Sequence, residues 1–190
     1  MQRILIFASG SGTNAENIIR HFENSSLAQV TYVLCNRASA GVLERAHRLG
    51  VPTRIFTKKE LFSQEFIDFI ISEADFVVLA GFLLKVPIEL TKAFENKIIN
   101  IHPALLPKYG GKGMYGMNVH RAVVANQEKE SGITIHFVNE NYDEGAIIFQ
   151  KEVALDEDDQ PEDVAEKIHA LEQEHFPVVI EDLILRANEG

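Results

Sequence analysis

Short apolar runs of strand length alternate with helical patterns through the first hundred residues of the chain. The run at residues 3–8 precedes a helical pattern at 14–24, and the run at 29–34 precedes one at 41–49. Residues 53–56, 63–72, 76–80, 87–94 and 97–102 carry the alternation on. Repeated strand–helix units of this kind lay strands side by side in parallel and cover both faces with helices. The pattern predicts a doubly wound, mostly parallel, Rossmann-like α/β sheet. After His102 it changes to a glycine-rich loop at 109–116, a short helix at 118–126, and two strands at 133–138 and 146–152. The segment between those strands is too short for a crossover, so they are expected to pair antiparallel. A long helix closes the chain: Pro161 suits its first turn, and Pro177 is expected to kink or break it. No linker, repeat or low-complexity stretch intervenes. The expectation is a single domain over 1–190, with halves at 1–100 and 101–190.

The strand pattern at 98–102 carries the most chemistry. Side chains on a strand alternate between faces, so Asn100 and His102 leave together while Ile99 and Ile101 point into the core. Pro103 cannot continue a ladder and Pro107 stiffens the next few residues, so the strand stops where its amide and imidazole emerge. The carboxyl ends of strands are where open α/β sheets bind ligands.

Composition narrows the function without naming it. At 190 residues and 46% hydrophobic content the chain has enough apolar surface for its own core. Its apolar runs are strand-length, far short of the roughly 20 residues that cross a bilayer, and no cleavable leader is visible, so the expected location is the cytoplasm with no membrane partner. A formal charge of −10 argues against nucleic acid as the partner, which requires a basic face. Any anionic ligand must be held by local groups. The acidic run at 156–159 reads as a solvated loop before a helix. Cys35 is the chain's single cysteine, which excludes an internal disulfide and a multi-cysteine metal site.

Two further motifs carry candidate chemistry. Gly10-Ser11-Gly12-Thr13-Asn14-Ala15 joins the first strand to the first helix. Glycines permit a tight turn whose N–H groups approach an oxyanion, and a helix N-terminus favours negative charge there. The spelling also satisfies a dinucleotide pattern, but Asn36 and Arg37 stand where an acid would hold ribose hydroxyls, which weakens the NAD reading while Arg37 leaves an NADP version open. A plain turn in which Thr13 or Asn14 caps the helix is the other alternative. The second motif is the turn Glu140-Asn141-Tyr142-Asp143-Glu144-Gly145, whose acids ordinarily solvate a loop tip. Asp143 matters if the fold brings it to His102, because a carboxylate beside an imidazole favours the charged ring. Of the seven histidines only His102 has a same-face partner at strand spacing; His136 sits mid-strand, and His21, His47, His120, His169 and His175 fall on or near helical patterns. No metal-ligand spacing and no nucleophile elbow is present, so no metal is expected.

Taken together and in order, five stretches resemble the phosphoribosylglycinamide formyltransferase family of folate-dependent enzymes. They are the SGSGTN turn, residues 79–87, 100–113 and 132–150, and EQEHFP at 172–177, spanning nearly the whole chain. The resemblance implies transfer of a formyl group from 10-formyltetrahydrofolate to the amine of glycinamide ribonucleotide, without a covalent enzyme intermediate, by a monomer or homodimer. It assigns catalysis to Asn100, His102 and Asp143, and nucleotide binding to Gly12, Thr13, Asn14 and Glu174. It lays the folate along Leu83, Leu84, Lys85 and Val86, with Asn100 also in contact. Leu84 stands where some members have arginine, Leu171 replaces a polar phosphate contact, and no basic residue between Thr57 and Ser63 can be matched to the folate. The loop at 109–117 is longer and richer in glycine than in some relatives, which suggests a lid. Methionyl-tRNA formyltransferase and formyltetrahydrofolate hydrolase share the core but carry an added C-terminal or N-terminal domain, and the hydrolase has a different residue after its histidine. Neither extension is expected here, and Pro103 comes directly after His102. A non-catalytic phosphate-binding module and an NADP-dependent reductase remain the readings from other classes.

Overall fold

The structure, a computed structural model, describes residues 1–141 and 143–189; Tyr142 of the predicted turn lies outside the described residues. The elements in order are β1 (Gln2–Ala8), α1 (Thr13–Phe22), β2 (Ala28–Cys35), α2 (Gly41–Arg48), β3 (Thr53–Ile55), α3 (Lys58–Leu61) and α4 (Gln64–Glu73). Next come β4 (Phe76–Leu79), α5 (Ile88–Ala93), β5 (Ile98–His102), α6 (Met117–Ala125), β6 (Glu130–Phe137), β7 (Ile147–Ala154) and α7 (Pro161–Glu189). One sheet holds all seven strands in the order β3-β2-β1-β4-β5-β6-β7.

The inner strands are apolar on both faces because helices cover both. Along β1, Ile4, Ile6 and Ala8 enter one core layer while Leu5 and Phe7 enter the other, as the two-residue period requires. On β5, Ile99 and Ile101 join the first layer and Ile98 the second, so Asn100 and His102 share a face with Ile98 and occupy its C-terminal end. Strands β1 to β5 are parallel, whereas β6 runs antiparallel to both β5 and β7, so the reversed region extends one strand pair beyond the predicted hairpin. The chain winds outward from β1 to β3 and then returns to the other side of β1 for β4. That reversal opens a crevice beyond the strand ends Ala8, Leu79 and His102.

Two expectations about the helices change. Helix α7 passes through Pro177 unbroken. A proline lacks the N–H that would bond the carbonyl four residues back, here Gln173, and the Asn17 amide of α1 donates to that carbonyl instead at 2.9 Å. The carbonyl is satisfied and the helix stays packed on α1. Helix α3 fills part of the segment that the strand–helix pattern leaves as a connection. A reciprocal capping box between Thr57 and Glu60 holds it together, and neither Lys58 nor Lys59 reaches the crevice.

Candidate active site

A cleft of about 650 Å³ lies along this crevice, with the β1–α1 turn at one end and the ends of β5 and β6 in its wall. At the turn, Gly12 adopts the left-handed conformation (φ 81°, ψ 20°) and packs so closely on α2 that a Cβ would stand 2.5 Å from the Val42 Cα. Only glycine fits both demands. Gly12 is itself the N-cap of α1, and no side chain caps the helix, so the alternative in which Thr13 or Asn14 does so is not realised. Asn14 turns instead toward α7, donating to Glu172 at 3.0 Å and accepting from Gln173 at 3.0 Å. Among the described residues the Ser11 and Gly12 amides have no acceptor within the protein.

The strand ends carry side chains. Antiparallel register sets Asn100 opposite His136 and His102 opposite Thr134. His136 Nδ1 lies 2.8 Å from the Phe137 carbonyl, which fixes the proton on that nitrogen. Its Nε2 therefore accepts from Asn100 Nδ2 at 3.0 Å, and the second N–H of the Asn100 amide remains for the cleft. His102 is 4% exposed and donates from Nε2 to the Tyr109 carbonyl at 2.7 Å. Asp143 comes between the two rings, with Oδ2 at 3.7 Å from His102 Nδ1 and Oδ1 at 3.6 Å from His136 Nε2. Its Oδ2 also accepts from the Gly111 amide at 2.9 Å, which ties the glycine-rich loop to the site. Below the strand, the Thr134 hydroxyl donates to the Ala104 carbonyl and accepts from the Leu106 amide and Gln150, pinning the segment after His102.

The charge state of His102 departs from expectation. Burial pushes its pKa below the ordinary 6.5; the Asp143 carboxylate and the Tyr109 carbonyl pull it upward, His136 lowers it, and burial prevails. The ring rests neutral at pH 7 rather than charged through Asp143, from which it is beyond hydrogen-bonding distance. For Asp143 burial acts upward, yet its neighbours, among them the Gly111 amide that donates to it, outweigh burial and hold the carboxyl below the usual range. His120 of α6 also lines the cleft; burial, aided by His102, lowers its pKa, and its Nδ1 has no partner among the described residues.

Leu83, Leu84, Lys85 and Val86 line the cleft beyond β4, and residues 111–116 of the glycine-rich loop line it as well. Lys85 and Lys112 are its lysines among the described residues. Helix α7 contributes Ala165, Ile168, His169 and Glu172, a stripe at helical spacing. Glu174, the residue assigned to nucleotide binding, is not on that stripe: its side chain is 71% exposed and does not line the cleft. Two residues rotate a helix by about 200°, so Glu172 and Glu174 face nearly opposite directions. Glu172 is half-buried beside Asn14 and His169, and desolvation raises its pKa above 4.5 although both neighbours pull it down. Glu172 and His136 thus line the cleft although the sequence reading gives them no role, as do His120 and His169; for the first two, helix phase and strand register are the signals that find them.

Among the described residues no group of three or more histidine, cysteine or carboxylate side chains is arranged to hold a metal, and no helix is long and apolar enough to cross a membrane. The cleft offers backbone donors at one end, and an amide donor, a neutral imidazole and a carboxylate at the other. That set can hold an anion and assist attack on a carbonyl.

Comparison with known proteins agrees with this chemistry. The formyl transferase family model matches residues 2–180. The chain is 34% identical to phosphoribosylglycinamide formyltransferase of Bacillus subtilis, over 100% of this chain and 98% of that one. It is 40% identical to the chloroplastic enzyme of that name from Vigna unguiculata, over 96% of this chain, and spans 61% of that relative's length and 62% of the Arabidopsis thaliana counterpart's. The crystal structure of the Bacillus halodurans enzyme superposes with a TM-score of 0.85 at 35% identity, covering 98% of this chain and 97% of that one. Fold, cleft and sequence together make the chain a member of the formyl transferase family, within its phosphoribosylglycinamide formyltransferase branch.

Proposed function

We propose that the chain transfers the formyl group of 10-formyltetrahydrofolate to the amine of glycinamide ribonucleotide, a step of purine biosynthesis, in the cytoplasm. One observation carries the reading: a single cleft joins an anion-binding turn at Gly12, Thr13 and Asn14 to the Asn100–His136–Asp143–His102 group. A nucleotide with a phosphate at one end and an amine at the other fits between them. Residues 1–100 supply the phosphate turn, and residues 101–190 supply most of the chemistry within one domain. The folate lies along Leu83, Leu84, Lys85 and Val86 and against the turn containing Asp143; Glu172, rather than Glu174, meets the nucleotide.

The amine attacks the formyl carbon, and a C–N bond forms as the carbonyl electrons move onto oxygen. The free N–H of Asn100 donates to that oxyanion, a contribution on the order of a hundredfold for one such donor. His102, neutral at rest, accepts the proton released by the amine at Nδ1, where the imidazolium faces Asp143. It then delivers that proton to the departing folate nitrogen as the old C–N bond breaks and the carbonyl reforms, a role worth roughly 10² to 10⁴. Holding amine and formyl together supplies much of the rest. Incubating the purified protein with both substrates and following tetrahydrofolate release tests the reading. Release matched one for one by formylated ribonucleotide is expected; no release, or release without the formylated product, overturns it.

A further inference from the structure

An acidic protein that holds a phosphate by backbone amides must aim those amides and offset its own field, and the cleft itself carries few cations. The groups that do so lie behind the β1–α1 turn, on helix α2. Two successive carbonyls of the turn are gripped from that side: the Val42 amide donates to the Gly10 carbonyl at 3.2 Å, and Arg45 Nε donates to the Ser11 carbonyl at 2.9 Å. A trans peptide unit is planar and directs its C=O and its N–H to opposite sides. Anchoring the Gly10 and Ser11 oxygens toward α2 therefore turns the Ser11 and Gly12 N–H bonds away from it, toward the cleft that Ser11 and Gly12 line. Among the described residues neither amide has an acceptor within the protein.

Arg45 is itself held in place. Its guanidinium pairs with Glu16 in the first turn of α1 at 2.5 Å, and Arg20 and Arg48 pair with the same carboxylate at 2.8 and 3.2 Å. Hydrogen bonds from Arg45 first and Arg20 second bring Glu16 down to about 2, so it is ionised at pH 7. Three guanidinium cations on one carboxylate leave two positive charges in excess behind the turn. Glu16 thus fastens Arg45 to α1, while Arg45 fastens α2 to the turn.

We propose that Arg45 is a positioning residue for phosphate recognition: through the Ser11 carbonyl it orients the Gly12 N–H toward the ligand, and it does so without touching the ligand. The inference rests on the turn being the phosphate site, as under the proposed function. Arg48 shares the charge and the Glu16 partner, is more exposed, and makes no contact with the turn, which makes it the internal control.

The test compares wild type, Arg45→Met, which keeps an unbranched aliphatic side chain, and Arg48→Met. Steady-state kinetics are measured with glycinamide ribonucleotide and with the same molecule lacking its phosphate. Arg45→Met is expected to raise KM for the ribonucleotide about tenfold, with kcat and the folate KM within about twofold, and to leave the phosphate-free substrate unaffected. Arg48→Met is expected to change the ribonucleotide KM by less than about twofold. Equal rises in the two variants would make the effect one of charge alone and overturn the positioning role. An unchanged KM in Arg45→Met, or the same rise with the phosphate-free substrate, would overturn it as well. Thermal melting of both variants separates these outcomes from misfolding, and wild type without formyl transfer would overturn the proposed function rather than this inference.

Discussion

The two ends of the cleft are built by opposite means. At the β1–α1 turn the groups facing the cleft are main-chain amides, and the surrounding side chains serve to hold the backbone: Gly12 packs on Val42, and Arg45 grips the Ser11 carbonyl. At the ends of β5 and β6 the backbone is a regular ladder, and the groups facing the cleft are side chains, each oriented by a partner: Asn100 by His136, His102 by Tyr109, Asp143 by Gly111. The first design ties binding to the shape of the fold. The second allows a functional group to be lost while the fold stays intact.

Asn100→Asp breaks the second design most sharply. It keeps the size of the side chain but removes both N–H donors and adds a carboxylate to a site that already holds Asp143. Turnover is expected to drop about a hundredfold or more, while the thermal midpoint changes little because Asn100 is only half-buried at the strand end. Near-normal turnover in a steady-state assay would remove the amide from the oxyanion.

Asp143→Asn comes next, with a loss of about tenfold or more in rate. The Asp143 charge raises a His102 pKa that burial has already lowered, so removing it lowers that pKa further. The limb of the pH–rate profile that reports His102 therefore moves toward acid. If the two residues act as a unit, the same change costs little once His102 is alanine. Fully additive losses with an unmoved limb would return Asp143 to an ordinary turn residue.

Gly12→Ala probes the first design and should fail differently. A Cβ there meets the backbone of Val42 and demands a left-handed conformation, so stability is expected to fall by about 1–3 kcal/mol together with a rise in the ribonucleotide KM. Binding and folding should decline together at this end, in contrast to Asn100. Calorimetric titration with the ribonucleotide showing unchanged affinity in the folded variant would place the phosphate elsewhere.

The same contrast governs how much of the site could be read from the chain. A backbone site is spelled locally: two glycines between an apolar strand and a helix suffice, and Asn100, His102 and Pro103 likewise carry their geometry in one short run. Whatever depends on long-range pairing is hidden. His136 becomes a partner of Asn100 only through the β5–β6 register, and the neutral state of His102 results from burial that no local pattern reports. Pro177 is tolerated because Asn17, at the other end of the chain, satisfies the Gln173 carbonyl that it leaves free. The sheet was legible because its central strands alternate between two apolar layers, whereas α3 rests on a capping box with almost no periodicity to show.

The smallest expected effects, and the finest test of the comparison, concern the glutamates of α7. Motif spelling favours Glu174, while helix phase places Glu172 on the stripe with Ala165, Ile168 and His169. Glu174→Gln should leave both Michaelis constants unchanged within about twofold, as for an exposed surface carboxylate. Glu172→Gln should raise the ribonucleotide KM several-fold, about the difference between a hydrogen bond to a charged group and one to a neutral group. The two variants should also differ in stability without substrate. Burial raises the Glu172 pKa above its ordinary value, so the folded state holds the proton more tightly than the unfolded chain, and the stability linked to that proton is lost as pH rises through the folded pKa. Glutamine cannot ionise and can still accept the Asn14 hydrogen bond, so Glu172→Gln should melt above wild type at pH 7, and the gap should close as pH falls toward 4.5. A carboxylate that costs stability at the pH where it serves binding is the mark of a side chain retained for the ligand. Equal melting of Glu172→Gln and wild type at both pH values, with an unchanged ribonucleotide KM, would restore Glu174 as the residue to explain.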